Sequence, residues 1–175
     1  VDGEGAHPAA DACDYARFCS SLDFWSINDH AEGLTPRQWK ETKESIRQCN
    51  EISGDVAPDT IAFLGYEWSQ MNQFEKDKHY GHKNVVYKGI EESEVPPRAI
   101  AAISPVVEAG RLQSQSLAAR MLLSVGSTFM GDDYRDFNNF NHELYNTPTC
   151  EQGVHTKELP INCREGVHTP AELFN

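Results

Sequence analysis

No stretch of this chain approaches the roughly 18 consecutive apolar residues that a membrane span needs. Runs of Lys or Arg are missing too: 15 basic side chains face 27 acidic ones, a net charge of -12. Without a positive field, a sequence-independent grip on nucleic acid or anionic lipid is excluded. The first residues lack the charged and apolar regions of a signal peptide. There is no internal repeat and no low-complexity tract, which leaves 175 residues for one ordinary domain with its own core. A Met is missing at position 1, and Thr169-Pro170-Ala171-Glu172 has the form of a capping box opening a helix almost at the last residue. The chain is therefore expected to be a fragment, truncated at both ends, with the remainder of the same polypeptide as its first partner.

What is present alternates between strand and helix patterns in the first half. Residues 8–21 read as a helix with Ala12, Tyr15, Ala16, Cys19 and Leu22 at helical spacing, and Leu22 to Asn28 reads as a strand. Thr35-Pro36-Arg37-Gln38 is a capping box opening a helix to about Asn50 that directs Trp39, Ile46 and Cys49 inward. Thr60 to Tyr66 and Lys83 to Tyr87 are further strand candidates. Strand, helix, strand at this spacing implies parallel pairing and an α/β sheet. In the second half, residues 91–105 read as loop and Arg111 to Ser124 as a helix. Asp132 or Asp133 caps another helix carrying Tyr134, Phe137 and Leu144, and residues 146–168 form a long loop.

Polar, metal-competent groups gather at the strand ends. In SINDHAE, Asp29 and His30 follow the first strand; Glu67 follows the second in GYEW; His82 lies just before the third in GHKNVV. Each alone reads as an ordinary loop or cap residue, but imidazole nitrogen and carboxylate oxygen together suit Zn, Mn or Fe, and a bridging Glu can hold two ions.

The order LDFWSINDHAE, FLGYEW, GHKNVVY resembles the PHP (polymerase and histidinol phosphatase) superfamily, and within it the branch known as DUF3604. GEGAHPAADACDYARFC, PTCEQGVHTKELPINCRE and TPAELF also look like that branch, so the resemblance covers most of the chain. It implies an α/β fold, a distorted β/α barrel with metals at the C-terminal ends of its strands, of which this chain is an incomplete N-terminal portion. His30 matches the metal-binding His of the family's DH motif, with Asp29 as a ligand or as an orienting partner. Glu67 matches the Glu of the GxE motif that tends to bridge two metals, and His82 matches a later His ligand. The family also opens on a His-x-His and closes on an Asp-x-His, and neither occurs here; in a fragment they lie outside the chain.

The remaining candidates divide by context. His7 and His79 read as cap or surface residues, with a place near the site as the alternative, and His142, His155 and His168 as structural or exposed. Cys150 and Cys163 flank 12 residues with no regular periodicity, and a disulfide there is worth about 3 kcal/mol in the chain-entropy model. It points to an oxidising compartment, periplasmic or secreted. Cys19 and Cys49 on neighbouring helices are the expected second bridge, leaving Cys13 free, and five reduced thiols is the alternative.

The function expected is metal-dependent hydrolysis of a small phosphorylated substrate by a metal-bound hydroxide, with two or three divalent ions in the complete site. His30 and Glu67 carry the catalytic roles, and Tyr66, Lys83 and Asn84 are the expected substrate contacts. The alternatives are hydrolysis of an amide or carbonyl substrate by the same cluster, and a non-catalytic metal- or partner-binding domain.

Overall fold

Helix α2 (Pro36–Ser53) starts where its capping box says it should. The Thr35 hydroxyl accepts the Gln38 N–H at 3.2 Å, the Gln38 side chain accepts the Thr35 N–H at 2.8 Å, and Pro36 occupies the first turn. Gly54, at φ 80°, ends it. Its apolar face carries Trp39, Ile46 and Cys49, all buried as the spacing predicts. The computed structural model describes residues 8–54, 56–71, 79–103, 121 and 132–174, and the expected helix from Arg111 to Ser124 lies, but for residue 121, outside them.

Helix α2 is the crossover of a strand–helix–strand unit. Strands β1 (Phe24–Ser26) and β2 (Ile61–Phe63) flank it and pair in parallel, with Trp25 opposite Ala62. The Asn50 side chain takes both backbone groups of Ala62, at 2.9 and 2.8 Å, which fixes α2 against β2. After Leu64 the chain continues as β3 (Gly65–Gln70), antiparallel to β4 (Gly81–Val86). The parallel run resumes beyond β1 as a bridge between His30 and Glu67. At Gly65 the neighbouring segments pack tightly: a Cβ there would meet Asn28 Oδ1 at 2.5 Å, the Val85 carbonyl at 2.7 Å and the Ile27 carbonyl at 2.9 Å. Only glycine fits.

A third parallel pair joins β5 (Ile100–Ala102) to β6 (Glu165–Val167). Both fall where loop was expected, since three residues are too few to show an alternating pattern. Helix α3 (Asp132–Asn146) forms as predicted and buries Leu144, and α4 (Pro170–Leu173) is capped by the Thr169 hydroxyl. The described strands thus make three two-stranded sheets in a mixed α/β arrangement. The main core lies between α2 and β2–β3, around Trp39, Ile46, Leu64, Tyr66 and Trp68.

At the start of the described chain, α1 (Ala9–Asp14) runs into a π-helical turn, Tyr15–Cys19. Ala16 is buried as expected, but Cys13 joins it on the inward side while Tyr15, Cys19 and Leu22 are exposed, so the buried face is only partly the expected one. The disulfide follows that face: Cys13 bridges Cys49, and Cys19 is the free thiol. Cys19 ends the π-helical turn and is exposed, whereas Cys13 is buried against α2. The expected Cys150–Cys163 bridge is present.

Candidate metal centre

Strand alternation builds the site. On β3, Tyr66, Trp68 and Gln70 are buried on one face, which leaves Glu67 and Ser69 on the other. On β4, His82 stands opposite Ser69 and Asn84 opposite Glu67, so these two share that face. His30 arrives from the other side. Its backbone bridges to Glu67, the Glu67 N–H donates to the Asp29 carbonyl at 2.9 Å, and a 3-10 turn at Ala31–Gly33 starts directly after it.

Three separated segments therefore converge. His30, Glu67 and His82 each offer a ligand atom, and these atoms all lie within 4.8 Å of one another. The side chains are 36%, 22% and 53% exposed, so the group is anchored in the fold and open to solvent on one side. The imidazole rings meet edge-on with centroids 6.0 Å apart, and His82 Nδ1 contacts Glu67 Oε1 directly. Two imidazoles and a carboxylate are the donor set that borderline divalent ions prefer, and the spacing fits one.

Two residues that the sequence reading did not assign complete the picture. Ser69 Oγ sits among the donors, 2.9 Å from His30 Nδ1, 2.9 Å from His82 Nδ1 and 3.1 Å from Glu67 Oε1. Glu32 lies behind them. Its Oε1 accepts N–H groups from Ser69 at 3.1 Å and Ala102 at 2.8 Å, while its buried Oε2 has no hydrogen-bond partner and lies 3.7 Å from His30 Nδ1. Burial pushes the Glu32 carboxyl above its ordinary value, against the pull of those two N–H groups. The signals for both were positional: Ser69 is two residues from Glu67 on an alternating strand, and Glu32 is two residues from His30.

A hydrolytic Ser–His–acid triad is a poor description of the same atoms. Ser69 and Glu67 approach His82 through the same nitrogen, Nδ1, whereas a triad base needs its two nitrogens facing nucleophile and acid separately.

Other expected site residues fall elsewhere. Asp29 is exposed and contributes its backbone carbonyl, and its carboxylate is not in the convergent group. Tyr66 is in the core, packed edge-on against Trp39 and near the Tyr87 hydroxyl, because alternation turns it away from Glu67. Lys83 shares that opposite face, its ammonium 5.8 Å from the centre of the Trp68 ring. Neither can be a contact on the site's open face, whereas Asn84 is on it. His79, His142, His155 and His168 are exposed and outside the group, and His7 lies outside the described residues.

Comparison of the chain with protein-family models, with curated proteins and with solved structures finds no match. What the three residues can do rests on their own chemistry.

Proposed function

We propose that this chain carries the metal site of a hydrolase acting on small phosphorylated substrates, as its resemblance to the PHP superfamily implies. The observation that supports this most is the approach of His30, Glu67 and His82 from three separate segments to within 4.8 Å. In this reading the three sheets are parts of a β/α barrel, and the two disulfides are compatible with an oxidising compartment, which supports a periplasmic or secreted setting. A divalent ion such as Zn, Mn or Fe, bound there, would lower the pKa of a coordinated water and offset charge on a transferring phosphoryl group.

The chain's own residues supply the rest. Glu67 would bring the negative charge that an imidazole ligand lacks, and its N–H is tied to the Asp29 carbonyl, which anchors the strand that carries the carboxylate. The solvent-open side at His82 admits substrate, and Asn84, opposite Glu67, presents an amide to it.

Metal analysis by mass spectrometry, with calorimetric titration of Zn²⁺ and Mn²⁺, tests the site, and a panel of phosphoesters and amides tests the reaction. Stoichiometric metal and phosphoester turnover are expected. Glu67→Gln should abolish both while the melting temperature stays within a few degrees. Amide turnover alone would transfer the site to the carbonyl reading. Metal without turnover would make it a binding domain, and wild-type turnover by Glu67→Gln would refute the assignment.

A further inference from the structure

We infer that Ser69 supplies a fourth ligand, its hydroxyl oxygen, to the ion held by His30, Glu67 and His82. The inference rests on the metal reading above and adds a residue to it.

The first ground is spacing. Bonds of about 2.0–2.2 Å to nitrogen and oxygen put neighbouring donors of one ion about 2.8 to 3.6 Å apart, from a right angle to the tetrahedral angle. Ser69 Oγ stands 2.9, 2.9 and 3.1 Å from the donor atoms of His30, His82 and Glu67. It keeps that distance from all three at once, whereas Glu32 Oε2 comes near only His30, at 3.7 Å.

The second ground is the hydrogen inventory. A serine hydroxyl has one proton and two lone pairs. Its proton goes to Glu67 Oε1, which leaves both lone pairs of Ser69 Oγ on the side of the two imidazoles, within 2.9 Å of each Nδ1. An ion held between those rings would therefore meet a serine lone pair and not its proton.

The third ground is that the oxygen is held in place. Ser69 N–H is fixed by Glu32 Oε1 at 3.1 Å, and Ser69 lies in the β3–β4 ladder opposite His82. Donors on paired strands, supported from behind, keep their geometry before the ion arrives.

The test uses cobalt as the probe, in a Cys19→Ser background that removes the exposed free thiol. Ser69→Cys puts sulfur at the inferred ligand position, and Co²⁺ should then give an intense near-ultraviolet thiolate-to-cobalt charge-transfer band that the unmutated residue cannot give. Ser69→Ala should weaken Co²⁺ and Zn²⁺ binding by about tenfold or more, with a melting temperature close to wild type. Cobalt binding by Ser69→Cys without the band, or wild-type affinity in Ser69→Ala, would overturn the inference and leave the three-residue site standing. A wild-type chain that binds no cobalt would bring down the site and the inference together.

Discussion

Arg98 is 1% exposed, and its hydrogen-bond partners are the first residue of β6 and the segment before it. Its Nε donates to Glu165 Oε2 at 2.9 Å, Nη1 to the Pro160 carbonyl at 3.1 Å and Nη2 to the Thr156 carbonyl, while the Thr156 hydroxyl donates to the same Glu165 oxygen at 2.7 Å. Removing one member of a buried pair strands the other's charge. Arg98→Met should therefore cost about 3–5 kcal/mol in urea unfolding, and the double variant Arg98→Met, Glu165→Leu less than Arg98→Met alone. Nothing near Arg98 in the sequence marks it, because its partners come from more than 50 residues away. The site was half legible for the same reason. His30, Glu67 and His82 stood out through their places beside apolar runs. Ser69 shares the face of Glu67 by strand alternation, and the β3–β4 register adds His82 opposite it, while that same alternation and register turn Tyr66 and Lys83 to the other face.

Helix α3 is fastened to the start of α2 through Glu143, which accepts from the Thr35 hydroxyl and is gripped by the Arg37 guanidinium. Partial burial acts to raise the Glu143 carboxyl, but the hydrogen bonds from Arg37 and Thr35 outweigh it and hold the group below its usual value. A carboxylate depressed in the folded state stabilises the fold above the unfolded pKa, and that contribution disappears as pH falls through the folded one. Glu143→Gln should thus lower the melting temperature at neutral pH. The gap to wild type should close as the solution is acidified below about pH 4, measured by thermal melts across pH. Elements with strong local signals were readable beforehand: α2 had its box and its apolar period, and α3 the acidic pair that opens it. The π-helical turn at Tyr15–Cys19 and the three-residue strands β5 and β6 were not, since they owe their form to tertiary partners.

Across the whole molecule two disulfides hold separate regions. Cys13–Cys49 spans 36 positions and ties α1 to α2, while Cys150–Cys163 spans 13 and closes the segment around Leu159. Chain entropy assigns the longer closure about 4 kcal/mol and the shorter about 3. Paired serine replacements at each bridge should reproduce that order in denaturant midpoints, and a larger loss at Cys150–Cys163 would show that the Arg98 network depends on it. One further consequence concerns residue 65. The three segments that carry His30, Glu67 and His82 approach one another at Gly65, with no room for a methyl group. The width of the candidate centre is therefore gauged two positions ahead of Glu67, by the Asn28 side chain and the Val85 and Ile27 carbonyls. Donor residues can be exchanged without altering that gauge, whereas any side chain at position 65 would spread the walls before an ion was ever offered.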